Sequence, residues 1–312
     1  MTQVEDTSRE MRLDRDSFAQ GYFENAVYRH WDPYAIEGLE EDKQKLMDED
    51  DLTEAEYEEL RQTLARFGAG EEAVTEDLMP LALVLEDIND QMFVSSQIYE
   101  EAKHTQFFDR YWRDVINPVA EHHGFEVTNP TDQRYYPDGY IQLFDDTEAA
   151  MELLLEEDTP ENRVKAYCHY HLTVESVLAQ TGYYGITSAF SSKGSDEVAL
   201  REFPDAEGLV EGVGKIRSDE GRHVGFGMQK VRGYVQNGEV DESVVQDTLQ
   251  DLMPHVAGTF SDLTVGINPA PLVEYSRDKL TRRIEIITDA DAEIPDVDEL
   301  VKLDTDEGTA AD

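Results

Sequence analysis

Residues 98–108 read IYEEAKHTQFF, and residues 218–227 read SDEGRHVGFG. Each stretch carries a Glu-x-x-His pair, Glu101–His104 in the first and Glu220–His223 in the second. Residues three apart lie on one face of a helix, so each pair can turn a carboxylate oxygen and an imidazole nitrogen toward the same metal ion. A di-metal carboxylate bundle needs two such pairs on two helices, and one further Glu from each of two others.

The pairs alone are a weak signal. With eight His in this acidic chain, about one Glu-x-x-His arises by chance. A lone helical His is more often a core or surface residue than a metal ligand. The single Glu residues strengthen the case. Candidates are Glu71 (or its neighbour Glu72) and Glu175, each on the helix that precedes a paired motif. At 1.5 Å per residue, Glu71 lies about 22 Å and Glu101 about 17 Å from their shared turn. Glu175 and Glu220 lie about 25 and 21 Å from theirs. Six donors can therefore meet at one depth. Glu175 sits in HLTVESVLAQTGYYG (171–185) among apolar residues. A carboxylate there needs a metal, a cation or a proton. Adjacent helix positions point about 100° apart, so one of Glu71 and Glu72 can face the centre, and spacing does not choose between them. Asp219 is placed to orient His104, because a ligating His usually donates its free N–H to a carboxylate. Arg222 stands beside it. The ordinary reading of both is surface charge.

Helical spacing of apolar residues extends along most of the chain. Thr53 with Glu56 forms a capping box, opening a helix that runs to about Leu85 with Pro80 inside it. Further helices are predicted over about Asp90–Val115, Asp146–Glu157, Thr159–Ser191, Ala206–Gln236, Glu242–Thr264 and Pro271–Ile287. Residues 1–50 read as an irregular lead-in, 117–118 and 124–139 as loop, and 191–208 as an irregular connection. The expectation is an all-α four-helix bundle with additional helices, one domain over 1–288, and a mobile acidic tail over 289–312.

The charge is extreme, with 26 Lys plus Arg against 70 Asp plus Glu and a net charge of −44. A phosphate backbone or an anionic membrane would be repelled. Carboxylates spread along the whole chain suit a haloadapted surface, screened by concentrated salt. Cys168 is the single cysteine, which excludes an intrachain disulfide. No apolar run reaches membrane-spanning length, and the first residues show no signal-peptide pattern. A cytoplasmic protein is expected.

Four motifs then acquire a common meaning. GAGEEAVTEDLMP (68–80), EEAKHTQFFDRYW (100–112), VESVLAQTGYY (174–184) and DEGRHVGFG (219–227) resemble, in order, the ligand-binding oxidases related to the ribonucleotide reductase small subunit. The resemblance runs from about Trp31 to Pro254. It implies a ferritin-like bundle, usually homodimeric, with a manganese–iron pair that reacts with dioxygen. It also implies a long-chain fatty acid in a hydrophobic channel. The resemblance selects Glu71 over Glu72. It implies Glu71, Glu101 and His104 at a manganese site and Glu175, Glu220 and His223 at an iron site, with Glu101 among the bridging carboxylates. The same ligand types would accept two irons. Val74 and Tyr170 match the positions that form an ether cross-link in that family, although core packing is their ordinary reading.

Phe108 stands four residues after His104, where radical-generating reductase subunits usually carry Tyr. It weighs against, without excluding, a reductase small subunit serving a partner. A third alternative is a non-enzymatic carrier of fatty acid or metal. Two departures from the oxidase pattern are a short turn between the first two ligand helices and an enlarged connection near 191–205.

Overall fold

The computed structural model describes residues 12–303 apart from 193, 194, 196, 202 and 290. Its regular elements are all helical, and the described residues form no strand beyond an isolated bridge between Ala199 and Ile267. Two short helices, α1 (Phe18–Tyr28) and α2 (Leu39–Met47), precede the bundle. They correct the expected irregular lead-in. Their buried faces are small (Ala19 and Ala26; Leu39 and Leu46), so their apolar periodicity is faint in sequence.

Four long helical paths make the bundle. The first is α3 (Glu54–Val84), whose N-terminus is the reciprocal Thr53–Glu56 cap. Residues 85–87 join it to α4 (Ile88–Tyr111), which starts on the Asp87 side chain. The third path begins at α7 (Pro160–Tyr167), capped by Thr159. It widens into π-helical winding over Cys168–Ala179 and closes as α8 (Gln180–Phe190). The fourth is α9 (Glu207–Gln236). α3 packs along α4, and the π segment packs along α9.

Other elements brace these four. The second path also winds as a π-helix, over Trp112–Ile116, before α5 (Asn117–His123). Asn117-Pro118 was expected as loop. The wide turn resets the hydrogen-bond ladder, so Pro118 falls in a new first turn where its missing N–H costs nothing. α6 (Asp138–Glu156) starts earlier than expected and packs on α3. α10 (Glu242–Thr259) stops short of the expected Thr264, and α11 spans Pro269–Thr288. In the loop that follows α10, the buried Glu59 carboxylate accepts the amides of Thr264, Val265, Gly266 and Ile267. Those amides are thereby satisfied outside a helix.

The acidic end was expected to be mobile from 289. Within it α12 (Val297–Leu300) packs on α9, and Leu300, Val301 and Leu303 are buried. Residues 304–312 lie outside the described residues. One apolar core runs from Ala19 to Leu303. No helix among the described residues is long and apolar enough to cross a membrane.

Candidate metal centre

The bundle brings all six predicted donors to one buried point. His104, on α4, directs Nδ1 toward Glu101 Oε2 at 3.0 Å, Glu71 Oε2 at 3.3 Å and Glu220 Oε1 at 3.5 Å. His223, on α9, directs Nδ1 toward Glu101 Oε1 at 3.0 Å, and toward Glu175 Oε1 and Glu220 Oε2 at 3.4 Å. Two groups of donors result, Glu71–Glu101–His104–Glu220 and Glu101–Glu175–Glu220–His223. Within each group the donor atoms lie within 4.8 Å of one another. Glu101 and Glu220 belong to both. The resemblance placed Glu220 at one site, whereas its two oxygens face the two imidazoles separately. Glu72 is exposed while Glu71 is buried, which separates the neighbours that spacing left open.

Electrostatics show how incomplete this cluster is as protein alone. Burial pushes Glu71 and Glu175 up to about 7, and raises Glu220 well above the usual carboxylate range. Burial also acts to raise Glu101, but His223 and His104 outweigh it and hold that carboxyl well below the range. Burial acts against charge on both imidazoles, yet the surrounding carboxylates raise them well above their ordinary value. Three buried polar atoms, Glu175 Oε2, Glu220 Oε2 and His223 Nδ1, have no aligned hydrogen-bond partner. Each such atom costs about 1–3 kcal/mol. Cations removed from water and held among these oxygens and nitrogens would relieve both the repulsion and the missing contacts. The donor set therefore fits a pair of metal ions.

The far nitrogens of the imidazoles are held as well. His104 Nε2 lies 3.2 Å from Asp219 Oδ2, and His223 Nε2 lies 2.8 Å from Glu100 Oε2. Arg222 joins these outer carboxylates, with Nη2 2.5 Å from both Asp219 Oδ1 and Glu100 Oε1. Trp31 Nε1 donates to Asp219 at 2.7 Å, and Lys103 Nζ lies 3.1 Å from it. Trp31 also stacks on His104. Sequence reasoning placed Asp219 and Arg222 here but missed Glu100, Lys103 and Trp31. Glu100 is one of two adjacent Glu in EEAKH, and nothing in the string marks it. Burial of Lys103 had no signal at all.

Tyr170 donates to Glu101 Oε1 at 3.1 Å. It lies five residues before Glu175, which on an α-helix is about 140° away around the axis. The π winding, at roughly 4.4 residues per turn, reduces that to about 50°. Tyr170 and Glu175 can then face one centre. Val74, one turn after Glu71, is buried and lines an apolar cavity. Glu71, Glu101, Glu175 and Glu220 form one wall of it, and Phe67, Phe144, Leu178, Phe260 and Leu272 are among its apolar lining. The enlarged connection reaches this region. Leu200 N donates to Gly266 O, and Ala199 pairs with Ile267, a lining residue. Phe108 stacks on Phe67 with ring centroids 5.3 Å apart.

A helical bundle with buried, shared Glu and paired Glu/His defines a di-metal carboxylate fold. No family model matches the chain. Among solved structures it is similar to R2-like ligand-binding oxidases. One is a variant with anaerobically reconstituted Mn/Fe cofactor, 26% identical with a TM-score of 0.75, covering 91% of this chain and 96% of that one. Another variant, with aerobically reconstituted Fe/Fe cofactor, is 25% identical with a TM-score of 0.74, covering 88% and 94%. The similarity and the donor set together support a di-metal oxidase.

Proposed function

We propose that this chain is a single-domain, dioxygen-activating oxidase that binds one manganese and one iron, and takes a long-chain fatty acid in its apolar cavity. One observation carries the reading: two four-donor groups that share Glu101 and Glu220 form a wall of that cavity. Glu71, Glu101, His104 and Glu220 would hold one ion, and Glu101, Glu175, Glu220 and His223 the other. The metal pair supplies dioxygen activation for a two-electron oxidation. The protein supplies the setting. Apolar walls exclude water from the reacting side, and Asp219 and Glu100 fix the orientation of the two imidazoles.

The reading includes an ether between Tyr170 Oη and Val74 Cβ. Forming it removes two hydrogens from the chain, with dioxygen as the electron acceptor. Burial raises the Tyr170 phenol well above its ordinary value, so it keeps its proton, hydrogen-bonded to Glu101, until it is oxidised. We further place the chain as a homodimer in the cytoplasm of a salt-adapted cell.

The test is reconstitution with manganese(II) and iron(II), without and then with air. Anomalous scattering at both metal edges should show two ions per chain. Peptide mass analysis after air should show a two-hydrogen loss joining the Val74 and Tyr170 peptides. Oxygen consumption without that loss removes the cross-link. Two ions without oxygen consumption leave a carrier, and nucleotide reduction with a partner subunit would favour the reductase alternative.

A further inference from the structure

His171 is a buried imidazole that the reading above does not use. It sits on the π segment inside a cage of rings, with centroids 4.7 Å from Tyr170, 5.2 Å from Tyr167 and 5.9 Å from Phe226. Burial holds it well below its ordinary value, so it is neutral. The chain makes room for it at Gly227, where a Cβ would lie 2.3 Å from His171 Cβ. A Leu would fill an apolar cage at less cost than a polar ring.

The ring's polar contact explains its presence. His171 Nε2 lies 3.3 Å from Gln97 Oε1, and Gln97 Nε2 donates to Glu175 Oε1 at 2.8 Å. Gln97 and His171 are fully buried. An ionised carboxylate only accepts hydrogen bonds, so the NH₂ end of Gln97 must face Glu175. Its carbonyl then faces His171, which must carry its proton on Nε2. Each orientation in the row follows from the one before it. At the other end of the centre the Glu71 carboxylate meets His104 Nδ1, and among the described residues no side-chain amide donates to it.

We propose that His171 and Gln97 are positioning residues that hold Glu175 by Oε1. Oε1 also faces His223 Nδ1 at 3.4 Å, and Oε2 has no hydrogen-bond partner, so the amide fixes how the carboxylate plane is presented to the ion. The two end carboxylates differ as a result: Glu175 is braced by an amide, and no side-chain amide among the described residues braces Glu71. This rests on the di-metal reading.

The test is an anaerobic manganese(II) titration of the full chain by equilibrium dialysis, with crystal structures of the loaded proteins. The wild type should take two ions. Gln97→Leu and His171→Phe should each weaken the ion held by Glu175 and His223 about tenfold, and leave the ion at Glu71 and His104 unchanged. Glu175 should turn in the crystals away from its wild-type orientation. His171→Gln, which restores an N–H donor, should recover affinity. Gln97→Asn keeps an amide with a shorter reach, and it should behave like the leucine variant if that one does not fold. Variants that bind both ions as the wild type does, with Glu175 unmoved, overturn the positioning role. A wild type that takes up no ion overturns the di-metal reading itself, and this inference with it.

Discussion

Arg222 is fully buried between two carboxylates, Asp219 and Glu100, that each hold one imidazole of the candidate centre. Arg222→Met keeps most of the stem volume and removes the charge. Asp219 would retain Lys103 at 3.1 Å and the Trp31 N–H at 2.7 Å. Among the described residues, Glu100 would retain the His223 imidazole. Breaking a buried ion pair by removing one partner costs about 3–5 kcal/mol. The partners left on Asp219 argue for the lower end. About 3 kcal/mol is more than a hundredfold in the folded-to-unfolded ratio. The assay is urea unfolding of metal-free protein followed by far-ultraviolet circular dichroism, which keeps metal binding out of the balance. Adding Glu100→Gln to Arg222→Met should restore about half of the loss, since it removes the less compensated charge. Adding Asp219→Asn should restore less. A single substitution costing under about 1 kcal/mol would refute the argument, as would equal recovery from the two second substitutions.

Metal affinity should fall as pH drops below about 7, because Glu71 and Glu175 are pushed up to about 7 and bound ions must displace their protons; calorimetry in buffers of different ionisation enthalpy would count the protons released. The sign reverses for the metal-free fold. Raised carboxyls contribute stability below their ordinary value of 4.5 that is lost as pH rises toward 7, and the raised His104 and His223 act in the same direction. Metal-free protein should therefore unfold more easily at pH 8 than at pH 5.5, with metal cancelling the difference. Ala179→Phe should weaken binding of the proposed fatty acid about fiftyfold, since displacing about three methylenes at ~0.8 kcal/mol each removes about 2.4 kcal/mol; both ions should still load, because Ala179 lines the cavity without donating to the centre. Raising KCl from about 0.1 to 1 M shortens the screening length from about 10 to 3 Å and should raise the unfolding midpoint of a chain with net charge −44; a midpoint that falls would count against a salt-adapted surface.

The long helices were legible because burial and periodicity coincide there. Thr53 and Glu56 mark a cap that any start to α3 would need, and Thr159-Pro160 marks another. The Glu/His cluster was legible because two repeated Glu-x-x-His spacings marked two helix faces, and the structure gathers those faces at one buried point. Elements with little buried apolar surface, such as α1 and α2, left no comparable trace. Glu59 shows a second limit: from the distant α3 it holds the amides of the loop after α10, which no local window could reveal. Glu100, Gln97 and Lys103 show a third. Their roles depend on which side chain stands opposite, and α4 carries too many polar residues for composition to rank them.

The π segment carries the argument furthest. Sequence spacing places Tyr170 and Glu175 five apart, and an α-helical reading would send them to different faces. Widening the winding over Cys168–Ala179 brings the phenol toward Glu101 and also puts His171 behind Gln97. One local change in helical winding thus brings both the Tyr170 phenol to Glu101 and the His171–Gln97 row to Glu175. The sequence around 168–179 has no Gly or Pro to announce it. What holds it is tertiary: Gly227 on α9 admits the His171 ring, and Arg283 on α11 donates to Ser176 at 2.6 Å. A helix wound in this way costs backbone alignment along its length, and the surrounding helices must over-determine it. The centre is therefore built as much by α9 and α11, which clamp the π segment, as by the residues that point into it.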